Sequence, residues 1–405
     1  MTKNSEIKLI IACARTEQTP RVMGIIKEQV GKISDWQKVI CLSSFHRVGA
    51  LLYNSLKKTC PDSVPPEILS RLKKKYADNA ARNLSLSIKL LKIINLFKKN
   101  NVRAIPFKGP VIAEKAYEDL NLRSFSDLDI LIKKKDVPTA KNLLVQYGFK
   151  AEFKLSPELE QKYLKYENSI SFYNKNNLSI DLHWEITGRY LLNHLYFESF
   201  ADRLQITSFL GQKITCLPDD VMLVYLSVHG TSHCWNKFEW LCCFVELIKR
   251  QNEKTIINAF NLAETLGAKR IFLLGLYLGQ NLLDAQYPKK IEIAITSDQG
   301  IISCANKIKK QMFEQKIYLN DDAAWRFSPT HILIRDSYFD RFRYLVCLLF
   351  MPTIKELTKY RLPPRLTLLY YLIRPLRLAT AYFFANKIGG DETNEVMNHH
   401  EKAEK

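Results

Sequence analysis

Two aspartates one residue apart, Asp127 and Asp129, precede the apolar run Ile130-Leu131-Ile132. On a strand, side chains two apart point to the same face. The pair would therefore stand side by side at the start of an otherwise apolar strand. Adjacent carboxylates repel unless they are protonated or bridged by a cation. An oxygen-only ligand set of this kind suits Mg²⁺, which takes one or two carboxylates plus substrate phosphates. A second strand-like stretch, Leu178-Ser-Ile-Asp-Leu-His-Trp-Glu-Ile186, alternates polar and apolar residues. Ser179, Asp181, His183 and Glu185 share one face; Leu178, Ile180, Leu182, Trp184 and Ile186 share the other. A polar face on a cleft and an apolar face on helices fits that pattern.

The elements that must position these residues follow from periodicity. Residues 1–100 read as helical, with helix-spaced apolar residues over Val39–Leu56 and Ala77–Phe97 and a breaker-rich loop from Pro61 to Pro66. Val102–Phe107 reads as a short strand, Val111–Tyr117 as a helix and Leu128–Ile132 as a strand. Asp136–Tyr147 reads as a helix with Asp136 as N-cap and Gly148 as C-cap. Asn174-Lys-Asn-Asn177 reads as a hairpin turn between Ile170–Tyr173 and Leu178–Ile186. From Pro218 onward the pattern is helical again, including Trp240–Ile248 and Ile256–Leu283. The expectation is an α+β protein, its mixed sheet flanked by helices on both sides. Its regions are residues 1–100 (helical), 101–215 (core), 216–385 (helical) and a polar tail, 386–405, expected to be disordered.

Composition adds weaker bounds. Sixty basic residues against 41 acidic give a formal charge of +19, which favours anionic partners: nucleotides, nucleic acid or an anionic membrane surface. Nine cysteines, without a Cys-x-x-Cys pair, argue for reduced thiols and a cytoplasmic location. No run of about 18 apolar residues predicts a transmembrane span. Leu366–Ala385 comes nearest, and Arg374, Pro375 and Arg377 interrupt it. The arginines and leucines of Tyr360–Leu378 read as a helix with basic edges, with peripheral contact to an anionic membrane as the alternative. His229 and His233 are four apart, but Gly230 stands where a zinc-protease motif needs its glutamate. Packing or substrate contact by His229, Trp235 and Trp240 is the reading adopted.

The combination Lys108-Gly109, Tyr117, Arg123, Asp127-x-Asp129 and Asp181-Leu-His-Trp184 resembles the bacterial uncharacterised nucleotidyltransferases. Within the wider pattern it is similar to the polymerase-β-like nucleotidyltransferase superfamily. His229-Gly230, Trp235, Trp240-Leu241 and Arg374-Pro-Leu-Arg377 extend the likeness from about residue 40 to about 380. The resemblance implies a metal site of Asp127, Asp129 and Asp181 for Mg²⁺ (or Mn²⁺), with Glu185 as the backup third carboxylate. It implies transfer of a nucleoside monophosphate from a nucleoside triphosphate to an acceptor hydroxyl, with Asp181 as general base and pyrophosphate as leaving group. The acceptor could be a small molecule, a sugar or lipid intermediate, a protein side chain or an RNA end. The chain departs from the superfamily at Pro110, which replaces a second small residue and removes an N–H from the helix start. Residues 110–126, 17 in all, also make a longer gap than usual between Gly109 and Asp127. Lys108, Gly109 and Arg123 are then expected to hold triphosphate oxygens, the two cations compensating for the lost donor. A non-catalytic nucleotide- or partner-binding module with the same fold is the alternative that Pro110 favours.

Overall fold

The computed structural model describes residues 4–176, 178–188, 190–192, 195–313 and 328–388. The expected tail falls outside these residues except for 386–388, which complete the last helix. Five helices come first: α1 (Ser5–Cys13), α2 (Pro20–Val30), α3 (Trp36–Phe45), α4 (Gly49–Thr59) and the long α5 (Pro66–Lys99). The expected single helix over Val39–Leu56 is in fact α3 and α4. The chain breaks between them at His46–Val48, where Arg47 takes a left-handed conformation (φ 57°) that no helix accommodates.

The site-bearing sheet follows. Its strands are β1 (Ile105–Pro106), β2 (Asp127–Leu131), β3 (Lys150–Ala151), β4 (Ser169–Tyr173) and β5 (Ser179–His183), in the order β1-β2-β5-β4-β3. β2 and β5 are parallel, and every other pair is antiparallel, so the sheet is mixed. β4 and β5 form the expected hairpin. Asn174 holds its turn by accepting from the backbone N–H of Asn176 and of Leu178. The apolar face read for β5 is buried throughout, from Leu178 to Ile186.

α6 (Gly109–Tyr117) joins β1 to the loop before β2, and α7 (Val137–Gln146) follows β2. Asp136 does precede α7, but its carboxylate caps nothing, because residues 134–136 form a 3-10 turn that sets a helical entry. Gly148 ends the segment at φ 98°. A second hairpin, β6 (Gln205–Phe209) and β7 (Gln212–Cys216), was not expected; Leu210 and Gly211, both at positive φ, make its two-residue turn.

Helices resume with α8 (Pro157–Tyr166) inserted before β4, then α9 (Asp219–Ser232), α10 (Phe238–Lys249), α11 (Glu253–Thr265) and α12 (Lys269–Leu283). The stretch Ile256–Leu283, expected as one helix, breaks at Gly267 (φ 67°) into α11 and α12. α13 (Lys289–Thr296), α14 (Gln299–Phe313), α15 (Pro329–Leu333), α16 (Tyr338–Phe350), α17 (Ile354–Tyr360) and α18 (Leu369–Ile388) complete the order. No described helix is long and apolar enough to cross a membrane.

The chain divides into two compact units. The first takes Met1–Phe153 and Asn168–Arg341 and contains both sheets. The second takes Lys154–Glu167 and the segment from Phe342 onward. In the second unit α17 carries a complete capping box, with Thr353 and Glu356 exchanging side chain and backbone hydrogen bonds.

Candidate active site

The site is built where β2 and β5 run parallel. Their register sets Asp127 opposite Ser179, Asp129 opposite Asp181, and Leu131 opposite His183. Residues directly opposite in a pair face the same side, so the carboxylates of both strands point out of one face. The other side of β2 and β5 is apolar core: Leu128, Ile130, Ile180 and Leu182 have no exposed surface. Asp129, Asp181 and His183 bring one potential ligand atom each to within 4.8 Å of one another. Among the described residues, this is the group of acidic, histidine or cysteine side chains assembled closely enough to hold a cation.

Asp129 is the buried centre, only 3% exposed. Its Oδ1 accepts from Lys108 Nζ at 2.7 Å and lies 3.0 Å from His183 Nε2. Among the described residues its buried Oδ2 has no hydrogen-bond partner, and neither has His183 Nδ1. Burial opposes ionisation of Asp129, but the Lys108 ammonium and the His183 hydrogen bond outweigh it and hold the carboxyl well below the usual range. Lys108 is the reciprocal case: burial disfavours its charge, while Asp129 and then Tyr225 keep it protonated. Asp127 shifts the opposite way. Burial, then repulsion from Asp129, raises its carboxyl above the ordinary value; Lys108 partly offsets this and Asp181 adds to it. Three carboxylates against one ammonium leave two formal negative charges, which one divalent cation would balance. Buried like charges and an unpartnered carboxylate oxygen are a cost to folding that a cation removes. The residues therefore fit a divalent metal.

The turn before α6 explains how Lys108 reaches this position. Gly109 sits at φ 49°, and a Cβ there would meet the Asp127 carbonyl at 3.2 Å. The turn needs glycine because the backbone of β2 passes against it. Lys108 immediately precedes that turn and lies over the rings of Phe107 and Tyr225 as well as beside Asp129.

Arg123 is placed differently from Lys108. Its Nε pairs with Glu239 Oε1 at 2.7 Å, and its NH1 donates to the Gly109 carbonyl at 3.2 Å. The guanidinium thus ties α10 to the glycine turn. The long gap between Gly109 and Asp127 holds the rest of α6 and then a loop that α5 clamps. Asn83 Nδ2 donates to the carbonyls of Leu120 and Arg123, both at 2.6 Å, and Asn79 donates to those of Asn121 and Arg123.

α9 and α10 continue the site with aromatic and imidazole rings. Tyr225 contacts Phe107 and stacks on His229, with centroids 5.2 and 5.8 Å apart. His229 in turn meets His233 and Trp240 at 4.9 and 5.3 Å. Burial, then Lys108 and His233, push the His229 imidazole well below its ordinary value. Trp235 is separate: it is fully buried, and its ring occupies the space a Cβ on Gly230 would need, with contacts of 2.4–2.5 Å.

Of the residues read from sequence, the structure brings Asp127, Asp129, Asp181, Lys108 and Gly109 together, with Arg123 behind the glycine turn. His183 is the member of the cluster that the sequence reading did not single out. The alternation had already put it on the Asp181 face, two residues on; only the β2–β5 register places it against Asp129.

A mixed sheet that presents paired carboxylates beside a glycine turn, between helical layers, defines an α+β protein with a cation-competent acidic site. The chain belongs to the uncharacterised nucleotidyltransferase family, whose model matches residues 33–284 and so covers both site strands, the glycine turn, α9 and α10. No curated protein matches the chain. Among solved structures it is similar to an antigenic nucleotidyltransferase-like protein from Paracoccidioides brasiliensis, at 10% identity over 55% of this chain and 98% of that one. The TM-score of that match is 0.28.

Proposed function

We propose that the chain transfers a nucleoside monophosphate from a nucleoside triphosphate to an acceptor hydroxyl. The observation that carries this reading is the Asp129–Asp181 pair, aligned across two parallel strands with Asp129 Oδ2 buried and unpartnered. Asp127, Asp129 and Asp181, with His183 beside them, would hold a divalent cation such as Mg²⁺ or Mn²⁺. That cation would supply charge stabilisation to the phosphoryl oxygens. Asp181, half-buried and with no cationic partner at hydrogen-bond distance among the described residues, is suited to take the proton of the entering hydroxyl. Lys108 has a side chain 20% exposed, so its ammonium can bond Asp129 and still face a phosphate oxygen. Arg123 acts by fixing Gly109, and through it the turn on which the phosphates would rest.

The test is incubation of the purified protein with each α-labelled nucleoside triphosphate, divalent metal and a cell-extract fraction as acceptor. Label transfer with pyrophosphate release is expected, and both should vanish in Asp127→Asn. A second reading, a nucleotide-binding module without catalysis, is favoured by Pro110 at the helix start and by Lys108 occupying Asp129. It predicts nucleotide binding with no transfer in any fraction. Binding and transfer both absent would remove both readings.

A further inference from the structure

We infer that a ring nitrogen of His183 is a metal ligand, and that the site therefore selects a first-row divalent ion that accepts nitrogen, Mn²⁺, over Mg²⁺. The inference rests on the metal site of the reading above and adds to it the identity of the ion. Three observations carry it. First, the His183 ring belongs to the cluster: one of its nitrogens lies with an oxygen of Asp129 and of Asp181 inside 4.8 Å. Second, Nε2 is 3.0 Å from Asp129 Oδ1. Two ligands of one octahedral ion, each at about 2.1 Å from it, lie about 3 Å apart. Third, His183 is 6% exposed, and Asp129 Oδ2, on the buried side chain beside it, has no hydrogen-bond partner among the described residues. An orphaned carboxylate oxygen next to a buried imidazole is what a ligand set presents before its ion is bound.

Ion selectivity follows from the donor set. Mg²⁺ holds its waters and prefers oxygen, whereas imidazole favours the later divalent ions. Two or three carboxylates with one imidazole keep the site oxygen-rich, which suits Mn²⁺ better than a thiolate-seeking ion. No cysteine lies in the cluster. Phe107 makes a T-shaped contact with the ring at 5.0 Å, which helps to hold the imidazole in place.

The experiment needs neither nucleotide nor turnover. The full chain is titrated with Mn²⁺ and followed by loss of the free-ion electron paramagnetic resonance signal, with Mg²⁺ as competitor. Electron spin-echo modulation then reports whether nitrogen is bound. In wild type, binding at least ten-fold tighter for Mn²⁺ than for Mg²⁺ and a ¹⁴N modulation are expected. Growth on ¹⁵N-histidine should replace the ¹⁴N signal without any mutation, which keeps the test independent of folding. His183→Asn should lose the modulation and bring the Mn²⁺/Mg²⁺ ratio to within about three-fold of unity. Bound Mn²⁺ without nitrogen modulation, or an unchanged ratio in the variant, would overturn the role of His183 while leaving the carboxylate site standing. No binding of either ion would remove the metal site itself.

Discussion

Two buried carboxylates in this chain are surrounded by cations, and only one of them is finished. Glu356, on α17, has no exposed surface. Its Oε2 accepts from the backbone N–H and hydroxyl of Thr353 and pairs with Arg374 at 3.3 Å, and its Oε1 pairs with Arg377. Burial opposes its ionisation; the Thr353 hydrogen bonds, then the arginines, outweigh that and lower its carboxyl. Arg374 also donates to the Leu348 carbonyl. Asp129, nearly as buried, uses one oxygen for Lys108 and His183 and leaves the other unpartnered beside two more carboxylates. Burial is alike in the two places; hydrogen-bond saturation and the balance of charge differ. A saturated network locks a fold, whereas an unsaturated one is a cost retained for a ligand. Satisfaction, not burial, is thus the feature that separates the joint from the site.

Removing one partner from each centre should break the comparison in opposite directions. Asp181→Asn is expected to lower nucleotide transfer on the order of 10³-fold, the scale of losing one preorganised charged group. It should also raise the unfolding free energy of the metal-free protein by up to about 1 kcal/mol, because a repelling carboxylate is gone. Transfer assays and urea melts in a chelator read the two effects; a variant that is inactive because it is unfolded would remove the contrast. Glu356→Gln should do the reverse. It removes the carboxylate that Arg374 and Arg377 share, which costs roughly 3–5 kcal/mol for a broken buried pair. Transfer per folded molecule should stay within about two-fold of wild type. A melt unchanged in Glu356→Gln would show that the arginines find water or other partners there.

Much of the site was legible because a strand repeats every two residues. That period put Asp127 with Asp129 and grouped Asp181 with His183, and the buried apolar faces agree with it. Register was not legible. β2 and β5 are separated by some fifty residues of chain, and nothing local says that Asp129 meets Asp181 or that His183 comes within reach of Asp129. Arg123 shows the same limit. A basic residue near a phosphate turn reads as a phosphate ligand, but its partner Glu239 comes from a helix far along the chain. The breaks at Arg47 and Gly267 were missed because apolar periodicity continues across them, while the backbone changes hand at a single residue. Asn79 and Asn83 look like surface polar residues of a long helix, and only the fold shows them clamping the loop before Asp127.

A buried histidine elsewhere, His46, sharpens the same contrast by pH. His46 is buried and satisfied: its Nδ1 accepts from the Phe238 N–H at 3.3 Å, and its carbonyl accepts from the Glu239 N–H. It thereby joins the end of α3 to the start of α10, the helix that supplies Glu239 to Arg123. Burial, with Lys237 nearby, pushes His46 down to about 4 from 6.5. Protonation would also remove the lone pair that Phe238 uses. Between these two values the unfolded chain binds a proton that the folded chain does not, so stability rises with pH across the window and is lost as pH falls through it. The single-site loss is about 2 kcal/mol by pH 5 relative to pH 7.5, on the scale of 1.36 kcal/mol per unit. His46→Asn keeps an acceptor but cannot titrate. Urea unfolding at the two pH values should therefore show a shallower loss in His46→Asn than in wild type, by about that amount. Equal losses would mean that His46 is already free to protonate in the fold, and that its hydrogen bond to Phe238 is not what joins the two helices.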